Sequence, residues 1–313
     1  MHLHKVNIGG LETPNNVFLA PLAGYTNAVF RDMCYRLGAG LTFTEMVSAK
    51  GLCYGSAGTK ELLTELPEYG GIRACQLFGS EPEYLERAAK SEEIAPFELI
   101  DINMGCPVPK IFKNGEGSAL LADIKLAERI VKAVKSSGKR VSVKFRTGIS
   151  EGNLVTEEFA RAMEGAGADM ITIHGRTREK VYSGEVNYAE IERAKKAVKI
   201  PVIANGGVFS PEDAVNLMER TGADGVMLAR GAMYNPFLFA EITGTPAGDK
   251  RAHIERQLDL TYKYYGDRFA TVYMRKMIGF YIKGSSGAAQ MRLKLLSCNS
   301  REEIEGVLSQ IKL

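Results

Sequence analysis

In the stretch DINMGCPVPK, Cys106 stands between Gly105 and Pro107, three residues after Asn103. A free cysteine most often packs as a small hydrophobe. In a loop just past an apolar run, a thiol can instead give up a proton or, beside a cation, attack as a thiolate. Both chemistries stay open on composition alone. Lys144, near the end of RVSVKFR, must either snorkel out of an apolar strand or meet something anionic or electron-rich, where its ammonium would stabilise negative charge. Gln76 in ACQLFG carries both a donor and an acceptor and suits the edge of a heterocycle, although capping a neighbouring loop is the commoner fate of a lone glutamine.

HGRTRE places His174, Arg176 and Arg178 at one strand end. An isolated histidine is usually a satisfied core residue, but one imidazole followed by two guanidiniums is poorly explained by packing. ANGG and ARGAM close the last two strand patterns. Gly206, Gly207 and Gly231 let the backbone approach an anion, and Arg230 can add charge-assisted bonds, as in the phosphate sites that loops after the seventh and eighth strands of a barrel often build. Each motif alone could be a tight turn; two at the expected places favour a phosphate-bearing ligand. No carboxylates or histidines converge on a metal site, and neither a G-x-G-x-x-G nor a Walker loop is present in a suitable context.

What must position these residues is legible as eight apolar runs, at 17–23, 41–46, 72–78, 97–103, 140–146, 169–175, 201–207 and 224–230, alternating with amphipathic helix patterns such as LAERIVKAVKSS and PEDAVNLMERTG. Near-continuous apolar strands separated by helices indicate a parallel sheet covered on both faces. Eight repeats in about 225 residues fit an α/β fold of the (β/α)8 TIM-barrel type. The catalytic groups would then sit at the carboxyl ends of the strands. After GTPAGDKRAHIE the strand pattern stops, and four helical patterns follow, HIERQLDLTYKYYGD, ATVYMRKMIGFYIKG, AAQMRLKLLS and REEIEGVLSQIK. The expected division is a barrel over 1–243 and a small all-helical domain over 244–313, packed on the barrel because about 65 residues are marginal alone.

Hydrophobic residues make up 45 % and charged residues 25 % of the chain, an ordinary globular balance. No apolar run reaches the roughly 18 residues of a membrane span, and MHLHKVNIGG lacks a secretory pattern, so the expected compartment is the cytoplasm. The five cysteines are scattered and never form C-x-x-C, which indicates neither a disulfide framework nor zinc. From Thr245 onward there are 12 Lys+Arg against 7 Asp+Glu, while the preceding residues hold 28 against 30. A basic tail on a neutral body favours an anionic macromolecule docking there, although a solvated helical face gives the same count. Nothing indicates an obligate protein partner.

Taken in order, APLAGYTNAVFRDMCYRLGAG, QLFG, DINMGCPVPKIFKNGEGSALL, VKFRTG, IHGRTREKVYSG, ANGGV and ARGAMYNPFLF resemble the tRNA-dihydrouridine synthases, in particular their bacterial B-type branch. The resemblance is close from residue 17 to about 240 and looser in the tail. It implies an FMN-bound barrel that reduces the C5=C6 bond of particular tRNA uridines, NADPH reducing the flavin, and a helical domain that helps hold tRNA. By motif, Pro21, Leu22, Ala23, Gln76, Lys144 and His174 would line or contact the flavin. Asn205, Gly206, Gly207, Ala229 and Arg230 would hold its phosphate end. Asn103 would contact flavin or uracil, and Cys106 would donate the proton. Arg176, Arg178, Lys110 and Lys113 would meet RNA phosphates, together with Arg275, Lys276, Lys283, Arg292 and Lys294 of the tail. The chain departs from the family pattern at Gly207, where an acidic residue is expected, at Ala229, where glycine is, and at Asn27, where aspartate is.

The nearest alternative is the same bond chemistry on a free base, as in dihydroorotate or dihydropyrimidine dehydrogenases; the basic tail and HGRTR favour tRNA. An RNA-binding module without catalysis is the other, against which Cys106, Lys144 and His174 argue.

Overall fold

The computed structural model describes residues 2–311. Eight parallel strands close into a barrel: β1 Val17–Leu19, β2 Leu41–Ser48, β3 Arg73–Phe78, β4 Leu99–Met104, β5 Arg140–Arg146, β6 Met170–His174, β7 Val202–Asn205 and β8 Gly225–Leu228. The ring is completed where Val226 to Leu228 pair with Val17 to Leu19. The TIM-barrel expectation is met strand for strand, and the differences lie at strand ends. β1 stops at Leu19 rather than running to residue 23, because Pro21 has no N–H to continue the ladder. β7 stops at Asn205, where Gly206 (φ 128°) and Gly207 (φ 74°) turn the backbone in a way other residues resist. In both places the residues shed from the strand are the ones that line the mouth.

Six longer helices cover the barrel: α1 Ala28–Arg36, α2 Pro82–Ala89, α3 Ile124–Lys135, α4 Thr156–Gly165, α5 Tyr188–Ala197 and α6 Pro211–Thr221. Their boundaries follow from capping chemistry. Asn27 accepts from Phe30 N to start α1. Ser210 and Asp213 form a reciprocal capping box on α6, which ends on Gly222 in the left-handed region.

Alternation along the strands sorts side chains into two cores. Ile100, Ile102 and Met104 of β4 face outward, into the large core shared with the helices. Phe18, Leu41, Phe43, Ala74, Leu99, Met170, Ile203 and Met227 fill the barrel's lower interior, sealed from below by Val6 and Ile8 beside the hairpin of Asn7–Ile8 with Leu11–Glu12. Two residues further up the same strands, the inward positions turn polar.

Past Gly244 the described residues form three helical segments, α7 Lys250–Tyr281, α8 Ala288–Ser297 and α9 Arg301–Leu308. The two helical patterns expected at 253–267 and 270–284 meet with no loop between them. Gly266 leaves helical geometry (φ 73°, ψ 165°) and divides α7 there, so the two expected helices are present and meet end to end across a kink. α7 grips the start of the barrel: Arg256 pairs with the buried Asp32 at 3.0 Å, Tyr265 Oη accepts from Ala28 N at 3.0 Å, and Tyr273 Oη donates to the Tyr25 carbonyl at 2.7 Å. No described helix is long and apolar enough to cross a membrane.

Candidate active site at the barrel mouth

The carboxyl ends of the strands surround a cavity of ≈ 500 Å³, within the roughly 300–1,000 Å³ range of ligand pockets. Its lining includes Pro21, Leu22, Ala23, Gln76, Asn103, Cys106, Lys144, His174, Arg176, Asn205, Gly206, Gly207, Ala229 and Arg230. The strand register brings them together: Asn103 lies beside Lys144, Arg146 beside His174, and His174 beside Asn205.

Lys144 donates to Asn205 Oδ1 at 3.1 Å, and Asn205 Nδ2 donates to the Met227 carbonyl at 2.7 Å. Burial, helped by the nearby Arg146 charge, pulls the Lys144 ammonium down to about 8. It is therefore mainly charged at neutral pH. Burial also holds His174 well below its usual range, reinforced by Arg146, Lys144, Arg176 and Arg230 around it. The ring is neutral. Arg176 Nη1 approaches His174 Nε2 at 3.4 Å, and a guanidinium can only donate, so Nε2 accepts and Nδ1 carries the proton. The Cys106 thiol is pushed up by burial, against smaller opposing effects of the Val108 backbone N–H and Arg146. It is protonated at neutral pH, which disfavours a resting thiolate.

The loop carrying Cys106 is fixed from several sides. Asn103 Oδ1 accepts from Cys106 N at 2.9 Å and Gly105 N at 3.2 Å. Ser118 Oγ donates to the Cys106 carbonyl at 2.8 Å. Gly117 (φ 61°) packs so closely behind that a Cβ there would lie 2.9 Å from Cys106 Cβ. The GEGSAL segment, which matches no nucleotide-binding loop, thus serves to seat the cysteine.

A Cβ on Gly206 would fall 3.0 Å from Val186 and 3.1 Å from His174, so glycine keeps this turn open. Arg230 stands beside the turn, its guanidinium carbon 4.6 Å from the centre of the Tyr182 ring. Side-chain amides, the Lys144 ammonium, a glycine turn and an arginine form a donor set that suits a heterocycle with an anionic tail. The residues present therefore fit FMN.

Three expected contacts lie outside the cavity lining. Lys110 and Lys113 are exposed on the short helix Pro109–Lys113 next to Cys106. The Arg178 guanidinium lies 3.8 Å over the Phe112 ring of that helix. Arg176, although it reaches the cavity, is buried and donates to the Ser183 and Gly184 carbonyls at 2.8–3.1 Å. Arg146 ties the Gly105 carbonyl (2.8 Å) to those of Thr177 (3.0 Å) and Val181 (2.8 Å). These two arginines therefore brace the 177–184 loop over the mouth. That loop holds Val181, at φ 49° the only described non-glycine residue with positive φ.

In the tail, Lys276 donates to the Gly24 carbonyl at 2.9 Å and lies 4.0 Å over the Tyr25 ring, while Lys283 lies 4.4 Å over Tyr234. Arg275 donates to the Leu296 and Cys298 carbonyls, and Lys294 to Gln310 Oε1 at 2.9 Å. Arg292 packs near Gly279. Sequence reasoning missed Tyr25, Tyr182 and Phe280, which also line the cavity. Phe280 comes from α7, and no periodicity separates an aromatic facing a remote cavity from one in a helical core.

The family profile described as Dihydrouridine synthase (Dus) matches residues 18–312. The chain is 36 % identical over 298 residues to tRNA-dihydrouridine synthase B of Vibrio parahaemolyticus, covering 92 % of each chain. It is 38 % identical over 317 residues to a probable tRNA-dihydrouridine synthase 1 of Synechocystis sp., covering 97 % of this chain and 88 % of that one. Among solved structures, histamine dehydrogenase from Rhizobium sp. 4-9 superposes with a TM-score of 0.62 at 16 % identity, over 82 % of this chain and 50 % of that one. A variant of NCR from Zymomonas mobilis gives 0.56 at 19 %, over 84 % and 96 %. Such distant likeness speaks for the barrel alone, but the sequence matches run through strand ends and tail alike, and by them this chain belongs to the dihydrouridine synthase family.

Proposed function

We propose that this protein reduces the C5=C6 bond of uridine in tRNA to give dihydrouridine, with FMN held at the barrel mouth and NADPH as reductant. The observation that carries the reading is the convergence of a protonated, half-buried Cys106 with Lys144, His174 and the Gly206–Gly207 turn in the lining of one cavity. FMN, when bound, supplies hydride chemistry.

The residues of the chain have separable duties. Pro21, Leu22 and Ala23 form the apolar side of the flavin site, and Gln76 and Lys144 donate to its ring. Asn205, Gly206, Gly207, Ala229 and Arg230 hold the phosphate end, through backbone N–H groups and the arginine. His174, neutral and tethered, orients and does not exchange protons. Asn103 faces the uracil edge. Cys106 gives its thiol proton to C5 as hydride reaches C6, and the thiolate then regains a proton from solvent. The target base must leave its stack to enter, which costs a few kcal/mol and less in a loop than in a duplex.

Exposed Lys110 and Lys113 flank the entrance and are the first candidates for backbone phosphates, whereas Arg176 acts through the 177–184 loop. The 244–313 segment serves as the RNA-docking domain. The test is to incubate the purified, yellow protein with NADPH and tRNA from a strain lacking dihydrouridine. One tRNA position should gain 2 Da by mass mapping, and a protein that binds no flavin and leaves tRNA unchanged would refute the reading.

A further inference from the structure

Two buried polar side chains inside the barrel have no part in the chemistry above, Asp101 and Ser142. They face each other across β4 and β5, and Ser142 Oγ donates to Asp101 Oδ1 at 2.6 Å. Asp101 Oδ2 accepts from Gln76 Nε2 at 2.6 Å. A carboxylate can only accept, so Gln76 must turn its nitrogen toward Asp101 and its Oε1 away from it. That oxygen accepts from Asn103 Nδ2 at 2.9 Å, which leaves Asn103 Oδ1 for the backbone N–H groups of Gly105 and Cys106. Two amides that could each flip are thus oriented in sequence by a single carboxylate.

We propose that Asp101 is the positioning residue of this site: through Gln76 and Asn103 it decides which edge of each amide faces the bound rings and where the Cys106 loop stands. Each amide keeps one N–H outside the relay, and both residues line the cavity, so the ligands meet two donors. Those donors match the carbonyl oxygens of flavin and uracil; a reversed relay would offer acceptors and release the Cys106 N–H. The inference rests on the proposed role of Cys106. Burial raises Asp101 to about 6, while Gln76, Ser142 and Lys144 hold it down, so at neutral pH it is the accepting form that is present.

The test compares Asp101→Asn and Ser142→Ala with Glu190→Gln, a control that weakens another buried carboxylate network outside the cavity lining, where Glu190 accepts from Thr156 at 2.6 Å and Arg193 at 2.7 Å. The amide introduced by Asp101→Asn can present either edge to Gln76, so both relay directions become accessible. In the flavin-loaded protein, iodoacetamide labelling of Cys106, followed by peptide mass spectrometry, should change at least about fivefold in Asp101→Asn and less in Ser142→Ala. The visible flavin band should shift in the same order, and kcat for tRNA should fall about tenfold with little change in KM. Glu190→Gln should lose only stability. Labelling and band at wild-type values in a folded Asp101→Asn, or in Ser142→Ala if the first variant does not fold, would overturn the proposal. Should Cys106 prove not to be the acid, only the kcat readout loses its meaning, since labelling and absorbance do not depend on turnover.

Discussion

The two ends of the barrel interior are built from the same strands and differ at positions two residues apart. Leu99, Ala74, Met170 and Ile203 lie in the sealed lower layer, while Asp101, Gln76, Thr172 and Asn205 occupy the next inward positions above them. Below, shape and apolar area do the work. Above, Asp101, Gln76 and Asn205 are each held by a hydrogen bond to a neighbouring strand, so orientation and not volume matters. The lesson is that stability and chemistry are separable along one strand, one pleat apart.

Substitutions should divide along that boundary. The largest effect on folding is expected from Phe43→Ala in the lower layer, a loss of about 3–5 kcal/mol by denaturant titration, with the flavin spectrum of the surviving folded protein unchanged. Lys144→Met should do the opposite, lowering tRNA turnover roughly 100-fold while the melting temperature stays the same or rises, because an ammonium that burial disfavours has been removed. The pH profile sharpens this. With Lys144 brought down to about 8, its charged fraction falls as pH rises through 8, so turnover should decline there, and in Lys144→Arg the alkaline limb should move above about pH 9 whatever the absolute rate. The smallest effect belongs to the tail. Lys276→Ala should cost about 1 kcal/mol of stability with little change in the salt dependence of tRNA binding, since its ammonium is held by Gly24 and Tyr25. Lys110→Ala should instead reduce the salt slope by about 0.7–0.9 with no loss of stability.

The barrel was legible because its strands are apolar runs of the right length and number, and the mouth because Cys106, Lys144, His174 and the glycine turns break those runs at their ends. Strand ends were overrun where Pro21 and Gly206 stop the ladder. Asp101 and Ser142 were overlooked although a signal was present: each sits two residues before a residue already singled out, Asn103 and Lys144, and so on the same inward face. The duties of the arginines were not legible. HGRTRE shows charge at a strand end but not that Arg176 would turn back onto Ser183 and Gly184, because loop closure depends on contacts remote in sequence. The tail shows the same limit: its cations are countable in the sequence, while the contacts of Lys276 with Gly24 and of Arg275 with Cys298 are remote in sequence and were not legible.

The central claim is that Cys106 supplies a proton and not a nucleophile. The most direct measurement is a single turnover of Cys106→Ala, with its flavin reduced by NADPH and then mixed with unmodified tRNA. The account predicts that flavin content and reduction by NADPH stay at wild-type levels while reoxidation by tRNA slows on the order of 10²–10⁴-fold. Reoxidation and dihydrouridine formation at the wild-type rate would contradict it.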